Sequence, residues 1–188
     1  MEDSVFAILW YKIYSSNTKS ISTFRPFNIT YGYNEFSPRV KIYSPLMHKT
    51  NVKWISNLNA NDVGGFRVLP SKGKLLVITK SYKDYRVLKN LGIITCWFQS
   101  ENTIPHDLLL LSLTSRFEQI VVLFDNDGPG IIGAEKLVEK LNSLKENIAR
   151  SVIIPNDLTN PNMKDPSDYY KIKGKIKTIH FLLYNKLI

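Results

Sequence analysis

The sequence predicts an α/β protein in which helices flank a four-stranded parallel sheet, preceded by a small β-rich lobe. Apolar runs rich in Val and Ile are too short for helices and are typical of buried parallel strands. Between these runs lie segments whose apolar residues recur three and four positions apart, as on one face of a helix. Strands joined by helices imply parallel pairing through right-handed crossovers.

The lobe covers residues 1–72, and short apolar stretches within it are separated by Asn, Ser, Gly and Pro. Its strand candidates are Val5–Tyr14, Arg39–Tyr43, Val52–Ile55 and Phe66–Leu69. The turn Ser71-Lys72-Gly73 marks the predicted boundary. The α/β domain then runs over 73–175, and 176–188 form a C-terminal tail segment.

The first half of the α/β domain alternates strand and helix. In order, we predict a strand over Leu75–Thr79, a helix from the Ser81 cap to Leu91, a strand over Ile93–Phe98 and a helix from Pro105 to about Phe117. Gly92 provides the stop after the first helix.

The second half is organised around residues 119–137, QIVVLFDNDGPGIIGAEKL. We predict a strand over Ile120–Phe124, a helix to about Glu146, a strand over Ser151–Ile154 and a short helix that begins at Asp165-Pro166. The tail from Ile176 holds an apolar segment of uncertain type.

Two acidic residues, Asp125 and Asp127, follow the central strand at the edge where open α/β sheets bind ligands. Carboxylate oxygens shared with water and phosphate suit Mg²⁺. The same Asp-Asn-Asp-Gly residues also fit a polar turn with a helix cap, and taken alone they favour neither interpretation.

Charge and composition limit the kinds of partner that the protein is expected to bind. The chain carries 25 Lys and Arg against 16 Asp and Glu, and residues 1–72 hold nine of the basic and four of the acidic residues. This excess favours a nucleic acid over a membrane as partner. Bases and aromatics interleave in the lobe, and the candidate nucleic-acid-binding residues there are Arg39, Lys41, Lys53, Trp54 and Arg67. A small sheet with core aromatics and solvated bases explains each of them equally well.

Several classes are excluded. No run is long enough to span a membrane, and a single cysteine, Cys96, allows neither a disulfide framework nor a zinc-binding set. The sequence has no P-loop motif for a fused helicase.

Three signatures follow successive strands: TKSYKD at 79–84, DND at 125–127 and KDPSD at 164–168. Together they resemble the Toprim domain, a Rossmannoid metal-binding fold of bacterial-type primases, topoisomerases and some nucleases. The wording is most similar to phage and bacterial DNA primases, including primase-helicases. The resemblance covers roughly 74–174, and KIYSP, KW and GGF upstream look like the N-terminal lobe of phage primase-helicases.

The resemblance implies metal-dependent primer synthesis from nucleoside triphosphates on a single-stranded DNA template. Asp125 and Asp127 would bind Mg²⁺ (or Mn²⁺), and Asp165 a second metal or its water shell. Asp84 and Asp168 match further motif acids. Lys83 is a candidate for nucleic-acid binding. A separate replicative helicase is a possible partner, and the expected location is the cytoplasm, that of the host cell if a phage encodes the protein.

One position departs from the family pattern. Toprim domains place a catalytic Glu and then Gly after the first strand, where this sequence has Lys80-Ser81. Lys80 could bind triphosphate or template phosphate as a point charge. Alternatively, Glu101 beyond the second strand could supply the missing carboxylate, or it could be an exposed loop acid.

Three other functions stay open. The domain could be a catalytically degenerate Toprim module that binds nucleic acid or a replication partner. It could also be a Toprim nuclease. A haloacid-dehalogenase-like phosphatase begins with a similar D-x-D-G but needs later Ser/Thr, Lys and acid motifs that fit the remaining sequence poorly.

Overall fold

A computed structural model describes residues 5–7, 11–15, 20–24, 31–33, 36, 39–47 and 53–188. The chain forms two compact units, 1–58 and 59–188. The predicted domain limits at residues 72 and 175 stay predictions.

The first unit is built from antiparallel strands. Its strands are β1 (Val5–Ala7), β2 (Tyr11–Ser15), β3 (Ser20–Phe24), β4 (Tyr31–Tyr33), β5 (Lys41–Tyr43) and β6 (Trp54–Ser56). Strands β1, β4, β5 and β6 form one sheet in the order β1-β4-β5-β6, and β2 pairs with β3. The sequence does not single out β3 or β4, and the predicted strand Val5–Tyr14 contains parts of both β1 and β2.

The second unit contains the predicted parallel sheet. Its strands are β7 (Gly73–Thr79), β8 (Thr95–Trp97), β9 (Phe117–Val122) and β10 (Ala149–Ser151). They lie in the order β10-β9-β7-β8, and every neighbouring pair is parallel. The predicted α/β class with a four-stranded parallel sheet is therefore confirmed.

Helices cover both faces of this sheet. They are α1 (Tyr82–Asn90), α2 (Asp107–Arg116), α3 (Gly128–Leu144) and α4 (Pro166–Tyr184). Alternate residues of the central strand β7 pack into two separate hydrophobic clusters. Leu76 and Ile78 pack with residues of α2 and α3, whereas Val77 packs with Leu88 of α1 and Leu182 of α4. No helix in the described part of the chain is long and apolar enough to cross a membrane.

One predicted element is wrong. Residues Phe66–Val68 form a 3₁₀ helix instead of a strand. Gly65 before it has φ 75°, and the Arg116 guanidinium binds the carbonyls of Leu69 and Pro70 that a strand partner would need. The predicted short helix at Asp165-Pro166 is present as the first part of α4. It ends at Gly174, where the backbone is not helical (φ 80°, ψ 172°), and a second helical segment then continues to Tyr184.

Candidate functional site

The carboxyl ends of the two central strands lie side by side and carry the site. The Leu123 N–H donates to the Ile78 carbonyl at 2.9 Å, and the Phe98 N–H donates to the Thr79 carbonyl at 2.8 Å. Lys80 therefore leaves β7 next to the point where the chain after β9 reaches Asp125. This edge is where a doubly wound sheet binds its ligands.

Three carboxylates converge at this edge. Asp84, Asp125 and Asp165 each offer one oxygen, and these oxygens lie within 4.8 Å of one another. We call these three residues the acid cluster. Asp84 and Asp165 are 1% and 4% exposed, and the Asp125 side chain is 16% exposed. Three hard oxygen ligands at this spacing match the ligand type that Mg²⁺ and Mn²⁺ prefer.

Asp84 joins the cluster from α1, whose N-cap is Ser81. The Ser81 hydroxyl donates to Asp84 Oδ2, and the Ser167 backbone N–H donates to Asp84 Oδ1 at 3.0 Å. Burial, followed by the negative charge of Asp165, raises the pKa of Asp84 to about 7, although the bonds from Ser81 and Ser167 oppose the rise. This carboxyl is therefore partly protonated near neutral pH.

Asp165 is the N-cap of α4, and its pKa shifts in the direction opposite to that of Asp84. Its Oδ1 accepts the Asp168 N–H at 2.8 Å and the Ser167 hydroxyl at 2.8 Å, and its Oδ2 accepts the Lys83 ammonium. Burial alone would raise the pKa of Asp165, but these bonds, led by the one from Lys83, lower it. Asp165 is a carboxylate fixed in the charged form.

Asp125 lies beside the other two acids and also forms an ion pair with Lys80. The Lys80 ammonium lies 3.0 Å from Asp125 Oδ2 and 3.3 Å from Glu101 Oε2. Burial raises the pKa of Asp125 more than Lys80 lowers it, whereas the two ion pairs outweigh burial and raise the pKa of Lys80. The other Asp125 oxygen, Oδ1, is buried without a hydrogen-bond partner.

Asp127 lies outside the acid cluster. Its Oδ1 accepts the Gly130 N–H at 3.1 Å as the N-cap of α3, and its Oδ2 is 3.5 Å from the Lys164 ammonium. Asn126 ties this loop to the loop after β10, because its backbone N–H donates to the Lys164 carbonyl at 2.7 Å and its side chain to the Ile154 carbonyl at 2.7 Å.

Glycines allow two close backbone approaches beside the site. A Cβ at Gly130 would lie 2.2 Å from the Asp125 carbonyl oxygen, so the start of α3 rests directly on the acid loop. A Cβ at Gly133 would lie 2.5 Å from the Glu101 carbonyl oxygen. Helix α3 thus sets the positions of both Asp125 and Glu101.

The site carries more carboxylates than ammonium groups. Lys80 pairs with Asp125 and Glu101, Lys83 with Asp165 and Asp168, and Lys164 with Asp127. Together with Asp84 these are six carboxylates and three ammonium groups, a formal charge of −3. Partial protonation of Asp84 reduces this excess but does not remove it. The remaining negative charge favours a bound cation.

The predicted nucleic-acid-binding residues differ in exposure. Arg39 and Arg67 are exposed, Lys53 is half-buried and Trp54 is 45% exposed, stacked on Tyr43 with ring centroids 4.0 Å apart. Lys41 is only 8% exposed, with its ammonium 4.6 Å from the centre of the Trp54 ring. Burial lowers the pKa of Lys41 to about 8. Because Lys41 is so little exposed, its ammonium is poorly placed to contact a polyanion directly.

The position of Asp84 within the acid cluster was not predicted from the sequence. A Ser-x-x-Asp pattern at a helix start indicates a cap, and a cap is what it forms. Only the packing of α1 beside α4, which brings the Ser167 N–H to Asp84, carries the acid into the cluster.

Comparison with known proteins gives no match to any family model and none to a curated protein sequence. Solved structures of DNA primase domains do share the fold. A DNA primase domain from Pseudomonas aeruginosa aligns with a TM-score of 0.65 and 13% identity over 92% of this chain and 55% of that one.

Two further primase structures also share the fold. The zinc-binding and RNA polymerase domains of the Aquifex aeolicus primase align with a TM-score of 0.65 and 11% identity, over 92% of this chain and 43% of that one. The primase fragment of the bacteriophage T7 primase-helicase aligns with a TM-score of 0.55 and 15% identity, over 83% of this chain and 63% of that one. This chain thus has the fold of DNA primase domains and spans less than two thirds of each of these three structures.

Proposed function

We propose that this protein is a primase-like nucleotidyltransferase that joins ribonucleotides on single-stranded DNA with the help of Mg²⁺ or Mn²⁺. Its fold is that of DNA primase domains, and the Toprim-like signatures of the sequence meet at one sheet edge. In this proposal residues 73–175 form the catalytic domain, and residues 1–72 carry template.

The observation that carries the proposal is the environment of one carboxylate oxygen of Asp125. Its Oδ1 is buried and has no hydrogen-bond partner, although the acid cluster places two further carboxylates beside it. A buried carboxylate oxygen without a partner costs free energy that a bound cation would recover. The residues present therefore fit a divalent metal, held by Asp125, Asp165 and Asp84.

Each side chain of the site has a task in this chemistry. A bound divalent cation would neutralise the triphosphate and align it for attack by a 3′-hydroxyl. Asp165 stays ionised because of Lys83 and the helix start. Asp84, whose pKa is raised by burial and by the charge of Asp165, would give up its proton if it held a cation. Lys80, Lys83 and Lys164 place three ammonium groups around the acids, where the phosphates of a nucleotide would contact them.

A primer-synthesis assay tests the proposal. The protein would be incubated with single-stranded DNA, labelled ribonucleotides and either Mg²⁺ or Mn²⁺. We expect short products that require the metal, and Asp125→Asn should reduce them at least about tenfold, because it removes a charged ligand. Glu118→Gln removes a carboxylate from the opposite end of β9 and should change nothing. Equal product from the wild type and Asp125→Asn would refute the assignment.

A second candidate is the degenerate module, which is favoured by the Lys80 ammonium at 3.0 Å from Asp125. In that case the lysine takes the place of the cation permanently. Such a protein would bind single-stranded DNA, bind no Mn²⁺ and synthesise nothing. A Toprim-type nuclease would instead shorten the DNA in the same reaction mixture.

A further inference from the structure

Lys80 connects two carboxylates that come from different parts of the fold. Its ammonium lies 3.0 Å from Asp125 Oδ2, which follows β9, and 3.3 Å from Glu101 Oε2, which lies in the loop between β8 and α2. The Lys80 side chain is 18% exposed and that of Glu101 is 21% exposed. The ammonium therefore contacts two acceptors at once, at similar distances.

Glu101 is held in place through its backbone. Gly133 of α3 leaves no room for a Cβ, since that atom would lie 2.5 Å from the Glu101 carbonyl oxygen and 2.8 Å from its Cβ. Three residues earlier in the same helix, Gly130 packs on the Asp125 carbonyl even more closely, since a Cβ there would lie 2.2 Å from that oxygen. The two acceptors of Lys80 are thus fixed relative to each other by one helix.

A divalent cation on Asp125 would repel the ammonium that now lies there. A lysine has a flexible four-carbon stem, so its ammonium can shift between neighbouring acceptors without any backbone movement. If Glu101 were absent, the ammonium would either stay on Asp125 and compete with the metal, or give up both of its ion pairs and move into water. Either course would make metal binding less favourable.

We propose that Glu101 is the acceptor onto which Lys80 moves when a divalent cation binds Asp125. Glu101 is then a positioning residue that lets lysine and metal share the site. The inference rests on the proposed metal-binding role of the acid cluster, but it concerns Lys80 and Glu101, not the reaction. It assigns Glu101 no contact with the metal.

A double-mutant cycle read out by calorimetric titration with Mn²⁺ tests this. The four proteins are the wild type, Glu101→Gln, Lys80→Met and the double variant, with Glu118→Gln as a matched loss of one exposed carboxylate. Thermal melting confirms that each is folded. Glu101→Gln should weaken Mn²⁺ binding about tenfold, the size of coupling that close charged pairs show. Lys80→Met should strengthen binding, and in that background Glu101→Gln should have almost no effect.

Three results would overturn the proposal. If Glu101→Gln weakens Mn²⁺ binding equally in both backgrounds, Glu101 is a metal ligand. If Glu101→Gln leaves the wild-type affinity unchanged, Lys80 does not use it as acceptor. If Lys80→Met binds Mn²⁺ no better than the wild type, or no variant binds it, the lysine does not compete with a metal. Failure of the proposed function is distinct, because primer synthesis can be absent while the cycle behaves as expected.

Discussion

Asp84 and Asp165 lie in contact with the same serine yet hold their protons differently. Lys83 and two hydrogen bonds at the start of α4 keep Asp165 charged, and that charge, added to burial, raises the pKa of Asp84. One carboxyl of the pair is thus ready to ionise near neutral pH. A cation that enters the cluster would complete this ionisation, which couples metal binding to proton release.

Stability should fall as pH rises because of Asp84. Its pKa is about 7 in the folded protein against 3.8 ordinarily. Below 3.8 the carboxyl is protonated in both states, but between these values the unfolded chain has lost the proton that the folded protein keeps. Raising the pH through this window therefore favours unfolding. Urea unfolding in a chelating buffer should show this slope in the wild type and a shallower one in Asp84→Asn. Parallel slopes would contradict the assignment.

At the scale of single elements, helix α3 organises the site. It begins at the Asp127 cap, packs Gly130 on the acid loop and packs Gly133 on the Glu101 loop. The small residues of GPGIIGAEKL are therefore required by close backbone approach at two places. The same helix contributes Ala134, Leu137 and Leu141 to the core, so the site is joined to the most buried part of the fold.

Substitution of the two glycines at the start of α3 should give opposite results. Gly130→Ala places a Cβ 2.2 Å from the Asp125 carbonyl, whereas Gly128→Ala meets nothing within 4 Å. Gly130→Ala should destabilise the protein by about 1–3 kcal/mol, as overpacking does, and should weaken Mn²⁺ binding. Gly128→Ala should be neutral or slightly stabilising. Urea unfolding measures both, and equal stabilities would show that α3 does not rest on the acid loop.

Helices and strands were predicted correctly where the sequence signal, such as a cap residue or an apolar run, lies within the element itself. Ser81 and Asp165 cap the helices that their positions predict, and the Val- and Ile-rich run after Gln119 is a central strand. Phe66–Leu69 fails because four apolar-rich residues are equally compatible with a 3₁₀ turn, and distant Arg116 decides the outcome. Gly174 ends the short helix that Asp165 begins, and the apolar segment after it, whose type the sequence leaves open, forms a second helical segment of α4.

At the scale of the whole molecule, the candidate site also divides into features that the sequence predicts and features that depend on long-range packing. Asp125 and Lys80 could be placed at one edge from the strand order alone, since parallel strands end together. The position of Asp127 outside the cluster, and of Asp84 within it, depends on how α1 packs beside α4 and on the turn that makes Asp127 a cap. No spacing rule contains that information.

Charge distribution gives the whole molecule a second testable property. The formal charge is +9, although the site itself is negative. Nucleic acid should therefore be attracted by basic residues that are not paired with the acids of the site, in proportion to the phosphates that they neutralise. Arg39, Lys53 and Arg67 fit this role by exposure, and Lys41 does not.

Binding to single-stranded DNA should weaken with salt, and three substitutions should flatten that dependence. Combining Arg39→Gln, Lys53→Gln and Arg67→Gln should reduce the slope of log affinity against log salt by about 2, since each single-strand phosphate contact contributes about 0.7. Lys41→Met is the control and should leave the slope nearly unchanged, because its ammonium is buried over Trp54. Fluorescence anisotropy at several salt concentrations measures both. An unchanged slope in the triple variant would remove these residues from the DNA-binding surface.

Diffraction from crystals soaked in Mn²⁺, collected at a wavelength where manganese scatters anomalously, tests the metal site most directly. We expect one anomalous peak in contact with Asp125 Oδ1, the buried oxygen without a partner, and with at least one oxygen of Asp84 or Asp165. In the same map the Lys80 ammonium should lie closer to Glu101 than to Asp125. A map without a peak at the acid cluster, with Lys80 still paired to Asp125, would contradict the metal site and the function built on it.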